Sequence, residues 1–260
     1  MTSSHHHARN AGTLCRHRVA FAAWIALAGC ATVGSAPTSG GDDPLEPVNR
    51  FVFDVNTKLD HAVIEPLART YRDVIPAFVR DRIRSFVDNL AEPRIFINDM
   101  LQGRGDAAAT TFGRFFLNMT AGALGFFDAA TDAGLRRQSG DFGQTLYAWG
   151  IDDGPFLMLL FFGPSNVRDA VGLGVDLVTP SPTALFNGRD PWTVDIGVEI
   201  AGGIDLRARN LETIEEMRRS ALDPYTHFRS IFRQYRQAQL REARGEKSVP
   251  EELVDPEAKP

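Results

Sequence analysis

From residue 44 onward, apolar residues recur at three- and four-residue steps along most of the chain. Val48, Phe51, Val52, Val55 and Leu59 form the first stripe, with Arg50, Asp54 and Lys58 opposite. That spacing lays one helix face against a core. Asp43-Pro44-Leu45-Glu46-Pro47 opens the stripe; proline suits a first helical turn, where its missing N–H has no partner to lose. A second helix is predicted over 62–72, broken or kinked near Pro66. A third starts at Pro76 with Val79, Ile83, Phe86 and Leu90 on one stripe, and Ile95, Phe96, Met100 and Leu101 continue after Pro93. Gly103 and Gly105 then mark a turn. Short helical periodicity returns over 166–178 and ends at Thr179-Pro180-Ser181-Pro182. It returns again over 192–220, with Ile204, Leu211, Ile214 and Met217. Asp223-Pro224 supplies an N-cap and first-turn pair for a last helix bearing Tyr225, Phe228, Phe232 and Tyr235 on one face. Period-two alternation is scarce, so the fold class is mainly α.

Two stretches depart from this pattern. Over 112–130 the chain is nearly all apolar or small, with Arg114 and Asn118 its strongly polar members before Asp128 and with Gly122 and Gly125 interrupting it. Its length approaches that of a spanning helix, but an internal arginine argues against a simple one. The second is an uninterrupted apolar run, Phe156, Leu157, Met158, Leu159, Leu160, Phe161 and Phe162, bracketed by Gly154-Pro155 and Gly163-Pro164. A helical crossing needs roughly 20 residues. The run is therefore a buried strand, a core segment or an interfacial element lying in lipid.

The first 29 residues read as an export signal. Arg9, Arg16 and Arg18 precede an apolar segment over 19–28, and the segment ends Leu27-Ala28-Gly29-Cys30. This ending resembles the bacterial lipobox, in which the cysteine is acylated and becomes the first residue of the mature protein. Residues 30–42 are small and polar, as a flexible tether requires. Two or more acyl chains anchor stably, each buried CH₂ contributing about 0.8 kcal/mol. By the same resemblance, Ala31 in place of aspartate permits transfer to the outer membrane. The folded domain is expected over 43–244 and a disordered, charged tail over 245–260.

Composition narrows the chemistry. The net charge of −5 argues against a nucleic-acid partner, which calls for a basic patch. Phenylalanine contributes 18 residues against 4 tyrosines and 3 tryptophans, and a side chain with no polar tip suits a dry core or lipid. Both cysteines, Cys15 and Cys30, lie within the first thirty residues, so the body holds no thiolate nucleophile. His61 and His227 stand outside any HExxH-like cluster, so no metal site is expected. No GxSxG elbow is present. Asp152-Asp153 reads as a solvated turn, and Gly172-Leu173-Gly174 as small-residue helix packing. No cofactor and no catalytic residue is implied.

Several ordered motifs carry a resemblance. They are Asp43-Pro44-Leu45-Glu46 with Asn49-Arg50-Phe51, Asn89-Leu90-Ala91-Glu92-Pro93, Asn98 with Leu101-Gln102-Gly103, and Arg114-Phe115-Phe116-Leu117-Asn118. They continue in Gly125-Phe126-Phe127-Asp128, Phe142-Gly143-Gln144-Thr145-Leu146, Gly163-Pro164-Ser165 with Arg168-Asp169, and Asp223-Pro224-Tyr225. Over about residues 43–240 the chain resembles the VacJ/MlaA family of outer-membrane lipoproteins. The resemblance implies a helical, ring-like disc seated in the inner leaflet of the outer membrane, on its periplasmic side. It implies an amphipathic channel and association with a trimeric porin. The channel would remove phospholipid mislocalised to the outer leaflet and hand it to a periplasmic lipid carrier. No chemical step is implied.

A lipid path needs polar groups for a headgroup beside apolar walls for tails. Arg114 and Asn118 are candidates for the polar wall; alternatively Arg114 pairs with a carboxylate such as Asp128 or Asp141 and holds helices together. Phe126, Phe127 and the run from Phe156 through Leu157, Met158, Leu159, Leu160 and Phe161 to Phe162 are candidates for lipid contact, or else for a core. A phospholipase-like enzyme and a scaffold tethering a porin are the competing readings.

Overall fold

The computed structural model describes residues 43–179 and 191–244. The signal segment, the acylation candidate Cys30, the tether, Pro180-Ser181-Pro182 and the tail lie outside the described residues. Helices α1 (Glu46–Leu59), α2 (Glu65–Val74), α3 (Ala77–Leu101), α4 (Gly105–Thr120), α5 (Ala129–Asp132) and α6 (Phe142–Ala148) precede a hairpin of β1 (Phe156–Leu159) and β2 (Gly163–Asn166). Helices α7 (Val167–Val178), α8 (Pro191–Arg209), α9 (Leu211–Ser220) and α10 (Pro224–Ala243) follow. The mainly helical expectation holds. Contacts between elements run in a closed circuit: α1, β1, α7, α6, α3, α8, α2 and, through the turn Asp60–Ile64, back to α1.

Pro66, read as a break or kink, does not interrupt the chain's helical course. Asp60–Ile64 forms a π-helical turn, closed by the Glu65 N–H on the Asp60 carbonyl. The wider turn leaves Pro66 in the first turn of α2, where no donor is missed. Pro93 lies inside α3, whose 25 residues run on unbroken. An interior proline costs about 3 kcal/mol; the buried Glu92, Ile95, Asn98 and Asp99 around it hold the helix in place.

The apolar stretch over 112–130 is not one helix. α4 ends at Thr120, and Ala123, Leu124 and Gly125 then adopt φ of 51°, 62° and 91°. For residues bearing a Cβ this region costs roughly 1–2 kcal/mol each. A Cβ on Gly122 would lie 2.2 Å from the Phe127 carbonyl oxygen, and one on Gly125 would meet the Asn89 side chain, so glycine is required at both. Among the described residues no helix is long and apolar enough to cross a membrane.

Gly172 behaves as its sequence suggested. A Cβ there would sit 2.3 Å from the Gly143 nitrogen, so the pair lets α7 close on α6. Gly174 faces open space.

The distribution of polarity is partly inverted. Among the described residues, buried polar and charged side chains outnumber buried apolar ones. Phe51, Phe78, Phe112, Phe116, Phe161 and Phe162 are instead exposed. Charged groups are seldom buried without partners, and large exposed apolar surfaces mark contact with a partner or a membrane.

Candidate functional site

Three centres of interior charge bear on the candidate residues. In the first, Arg114 of α4 is 1% exposed. Its Nε donates to Glu92 Oε1 at 2.9 Å, its Nη2 to Asp128 Oδ1 at 3.0 Å, and its Nη1 to Thr131 Oγ1 at 3.1 Å and to the Leu135 carbonyl. Asn118, one turn on, donates to Asp128 and accepts from the Ala130 N–H. Burial pushes the Glu92 carboxyl up. Burial alone would raise Asp128 too, but hydrogen bonds from Thr131 and Arg114 outweigh it and hold that carboxyl low. Every nitrogen of Arg114 is engaged, so the geometry gives Arg114 and Asn118 the helix-fastening arrangement. Asp128 is the anticipated partner. Asp141 is not: it belongs to the second centre, where Arg236 of α10 binds both Asp141 and Asp169.

The third centre borders open space. At the π turn, Asp60 accepts from Arg207 Nε and Nη2 at 2.9 and 3.0 Å and from Arg218 Nη2 at 2.8 Å. Burial would raise its carboxyl; the two guanidiniums hold it below the ordinary value. Glu65, held low by hydrogen bonds from Arg69, also meets His61 Nδ1 at 3.0 Å. The Nη1 of Arg207 is buried with no acceptor among the described residues. Ligand atoms of Asp60, His61 and Glu65 lie within 4.8 Å of one another. Both carboxylates already accept from arginine, so the arrangement is an ion-pair cluster and not a cage shaped for a cation.

Arg207, Arg218 and Asp60 line a cleft of about 230 Å³ whose wall also includes Phe53, Ile64, Met158, Phe161, Phe162 and Phe228. A neighbouring cleft of about 370 Å³ shares Phe53, Thr57 and Arg218 and adds Arg50, Asp223 and Tyr225. Arginines thus share the lining of a space of a few hundred cubic ångströms with phenyl and aliphatic side chains. Such a surface suits an amphiphile with an anionic head.

The hairpin supplies the apolar wall through an arrangement set by two asparagines of α1. Asn49 donates to the Phe156 carbonyl and accepts from the Met158 N–H; Asn56 does the same for the Leu159 carbonyl and the Phe161 N–H. Seven residues apart on one helix face, they satisfy the edge of β1 as a third strand would. Strand alternation then divides the apolar run. Phe156 and Met158 are buried with Tyr225, in the core arrangement rather than in lipid contact. Leu157 and Leu159 are half-buried, and Leu160, Phe161 and Phe162 are exposed at the hairpin tip. Phe126 and Phe127 are exposed on the left-handed turn after α4. Sequence reasoning missed Asp60, Arg207 and Arg218. They lie up to 158 residues apart, and in the sequence Arg207 and Arg218 read as part of an increasingly charged helix.

The model of the MlaA lipoprotein family matches residues 41–239. The chain is 34% identical over 210 residues to the intermembrane phospholipid transport system lipoprotein MlaA of Shigella flexneri, covering 79% of this chain and 81% of that one. It is 31% identical over 239 residues to the protein of that name from Haemophilus influenzae, covering 88% and 93%. A chain solved in work on the structural basis for maintenance of bacterial outer membrane lipid asymmetry superposes with a TM-score of 0.67. It is 32% identical, with 78% of this chain and 100% of that chain covered. On the extent of the family match and on these identities, the chain belongs to the MlaA lipoprotein family.

Proposed function

We propose that the protein carries phospholipid out of the outer leaflet of the outer membrane, as a lipoprotein anchored through Cys30 on the periplasmic side, and passes it to a periplasmic lipid carrier. The observation that carries this reading is the cleft whose lining Arg207 and Arg218 share with the exposed hairpin phenyls. A phosphodiester matches the guanidiniums and acyl chains match Phe161 and Phe162. The names of the relatives point the same way. The lipid path is assigned to this cleft in preference to Arg114 and Asn118, whose donors are committed. Exposed apolar residues elsewhere fit a seat within one leaflet and leave surface for a trimeric porin. No chemical step is assigned to the chain.

Outer-leaflet phospholipid, measured by a leaflet-specific labelling assay, is expected to rise in cells lacking the protein and to return to normal on complementation. An unchanged level, with the lipidated protein present in the parent strain, sinks the transport reading in favour of a scaffold. Release of fatty acid from labelled phospholipid by the purified protein would instead establish a hydrolase.

A further inference from the structure

A cation set among phenyl rings lies on the amino-terminal half of α3 and lines neither of the two clefts. Phe78, Arg82 and Phe86 stand at successive four-residue steps, on one helix face. The Arg82 guanidinium carbon sits 5.0 Å from the centre of the Phe78 ring and 4.5 Å from that of Phe127. Phe86 stacks on Phe126 at 4.8 Å. Phe126 and Phe127 arrive on the left-handed turn whose Ala123 and Leu124 hold positive φ, and Phe78 and Leu124 are 64% and 61% exposed. The face is apolar around one cation.

Among the described residues no carboxylate pairs with that cation. The nearby carboxylates are taken: Asp81 by Arg84 at 2.7 Å, Asp88 by Arg137 at 2.5 Å, and Asp128 by Arg114. Arg82 has no ion pair among the described residues, and its Nε is buried without an acceptor. Phenyl faces favour a partly dehydrated guanidinium electrostatically, yet they supply no hydrogen-bond acceptor of the strength its N–H groups seek. An anionic oxygen does. A guanidinium matches two phosphate oxygens at once, and an apolar rim around a cation suits the boundary between headgroups and acyl chains.

We propose that the face formed by Phe78, Arg82, Phe86, Leu124, Phe126 and Phe127 binds phosphate-bearing membrane lipid. The phosphate sits on the Arg82 guanidinium and the rings lie among the acyl chains, so that Arg82 fixes the depth at which the turn enters the leaflet. This rests on the chain working at a membrane, and not on the direction in which lipid moves.

The test uses the full-length lipidated protein with Leu124→Cys, the body having no cysteine after Cys30, and a nitroxide on the new thiol. It is reconstituted into vesicles of phosphatidylethanolamine and phosphatidylglycerol, and separately into vesicles of phosphate-free diacyl glucosylglycerol. Accessibility to oxygen against an aqueous nickel chelate reports depth. In phospholipid, the label is expected within the leaflet. Arg82→Gln moves it toward water, and Arg82→Lys moves it less. In glycolipid, Arg82→Gln causes no shift, and excess inorganic phosphate changes nothing in either case. An Arg82→Gln label that stays at wild-type depth in phospholipid overturns the proposal, as does an equal shift in glycolipid. Competition by inorganic phosphate overturns it in favour of a free-anion site. A label in water throughout removes this face from the membrane altogether. All of these outcomes leave the outer-leaflet assay free to succeed or fail by itself.

Discussion

Arg114 and Arg218 both sit among carboxylates, yet they belong to different kinds of region. Around Arg114 every donor is matched, to Glu92, Asp128, Thr131 and the Leu135 carbonyl, and it lines neither of the two clefts. Around Arg218 two guanidiniums share Asp60, one Nη1 is unmatched, and two clefts open beside them. Residue type does not separate the two roles; the number of uncommitted donors and the adjoining space do. A buried charge whose partners are all internal fastens helices. A cationic pair that shares Asp60 and Glu65, keeps one donor unmatched and borders an apolar wall retains capacity for a ligand.

The largest effect expected from this contrast falls on the closed centre. Arg114→Met leaves Glu92, fully buried, without its cation, and breaking one side of a buried pair costs about 3–5 kcal/mol. Urea unfolding of the purified protein should show that loss. Adding Glu92→Gln should recover part of it, since the uncompensated charge is then gone. A loss of only a few tenths would mean the centre is not a fastener.

Next comes the link between α1 and the hairpin. Asn49→Ala strips partners from the Phe156 carbonyl and the Met158 N–H, and leaving buried backbone groups unmatched costs about 1–3 kcal/mol. Asn56→Ala, nearer the surface, should cost less. Both should loosen the hairpin tip, read as faster amide exchange at Leu160 and Phe161. Equal protection in wild type and variant would mean that the strand pairing alone holds the hairpin.

These two centres also mark the limit of what the sequence discloses. Helical periodicity, the Asp223-Pro224 start and the Gly172 contact were legible because they depend on local spacing; which face of α1 turns inward was not, since Val48 and Phe51 of the expected stripe are exposed and Asn49 is buried. Pro66 was read as a break or kink because local rules price a proline by its missing N–H. Here a π turn places it where that N–H is not needed. The apolar run 156–162 left strand and interfacial element unresolved, since seven apolar residues carry no period. The two asparagines that decide the matter lie more than a hundred residues away. Arg114 was legible as anomalous, because a charge in an apolar stretch stands out. Arg207 and Arg218, set among other charges, were not.

A smaller effect separates the centres by pH. Asp60 is held below its ordinary value of 3.8, so its contribution to stability is present above that value and is lost as pH falls through its lower folded value. In the Arg114 centre the carboxyls are shifted in opposite directions, Glu92 up and Asp128 down, so their acid dependences oppose. Asp60→Asn should therefore flatten the fall of melting temperature below pH 3.8 while lowering it at neutral pH. An unchanged acid limb would show that Asp60 gains nothing from its arginines.

The smallest expected change in stability is the most informative about function. In Arg218→Gln, Asp60 keeps its two bonds from Arg207, and the Arg218 side chain is 16% exposed, so the loss should be about 1 kcal/mol. If the open centre holds the lipid phosphate, outer-leaflet phospholipid should nonetheless rise toward the level of the deletion strain. Arg219→Gln provides the control: its side chain is 78% exposed and, among the described residues, its ion pair is with Glu215 on its own helix, so neither melting temperature nor lipid level should move. Arg218→Lys keeps the charge but not the fork that matches two phosphate oxygens, and should fall between wild type and Arg218→Gln. A normal lipid level in Arg218→Gln, at normal protein abundance, would place the two arginine centres in one class. The difference in uncommitted donors would then have no functional meaning, and the lipid path would have to be sought along another wall.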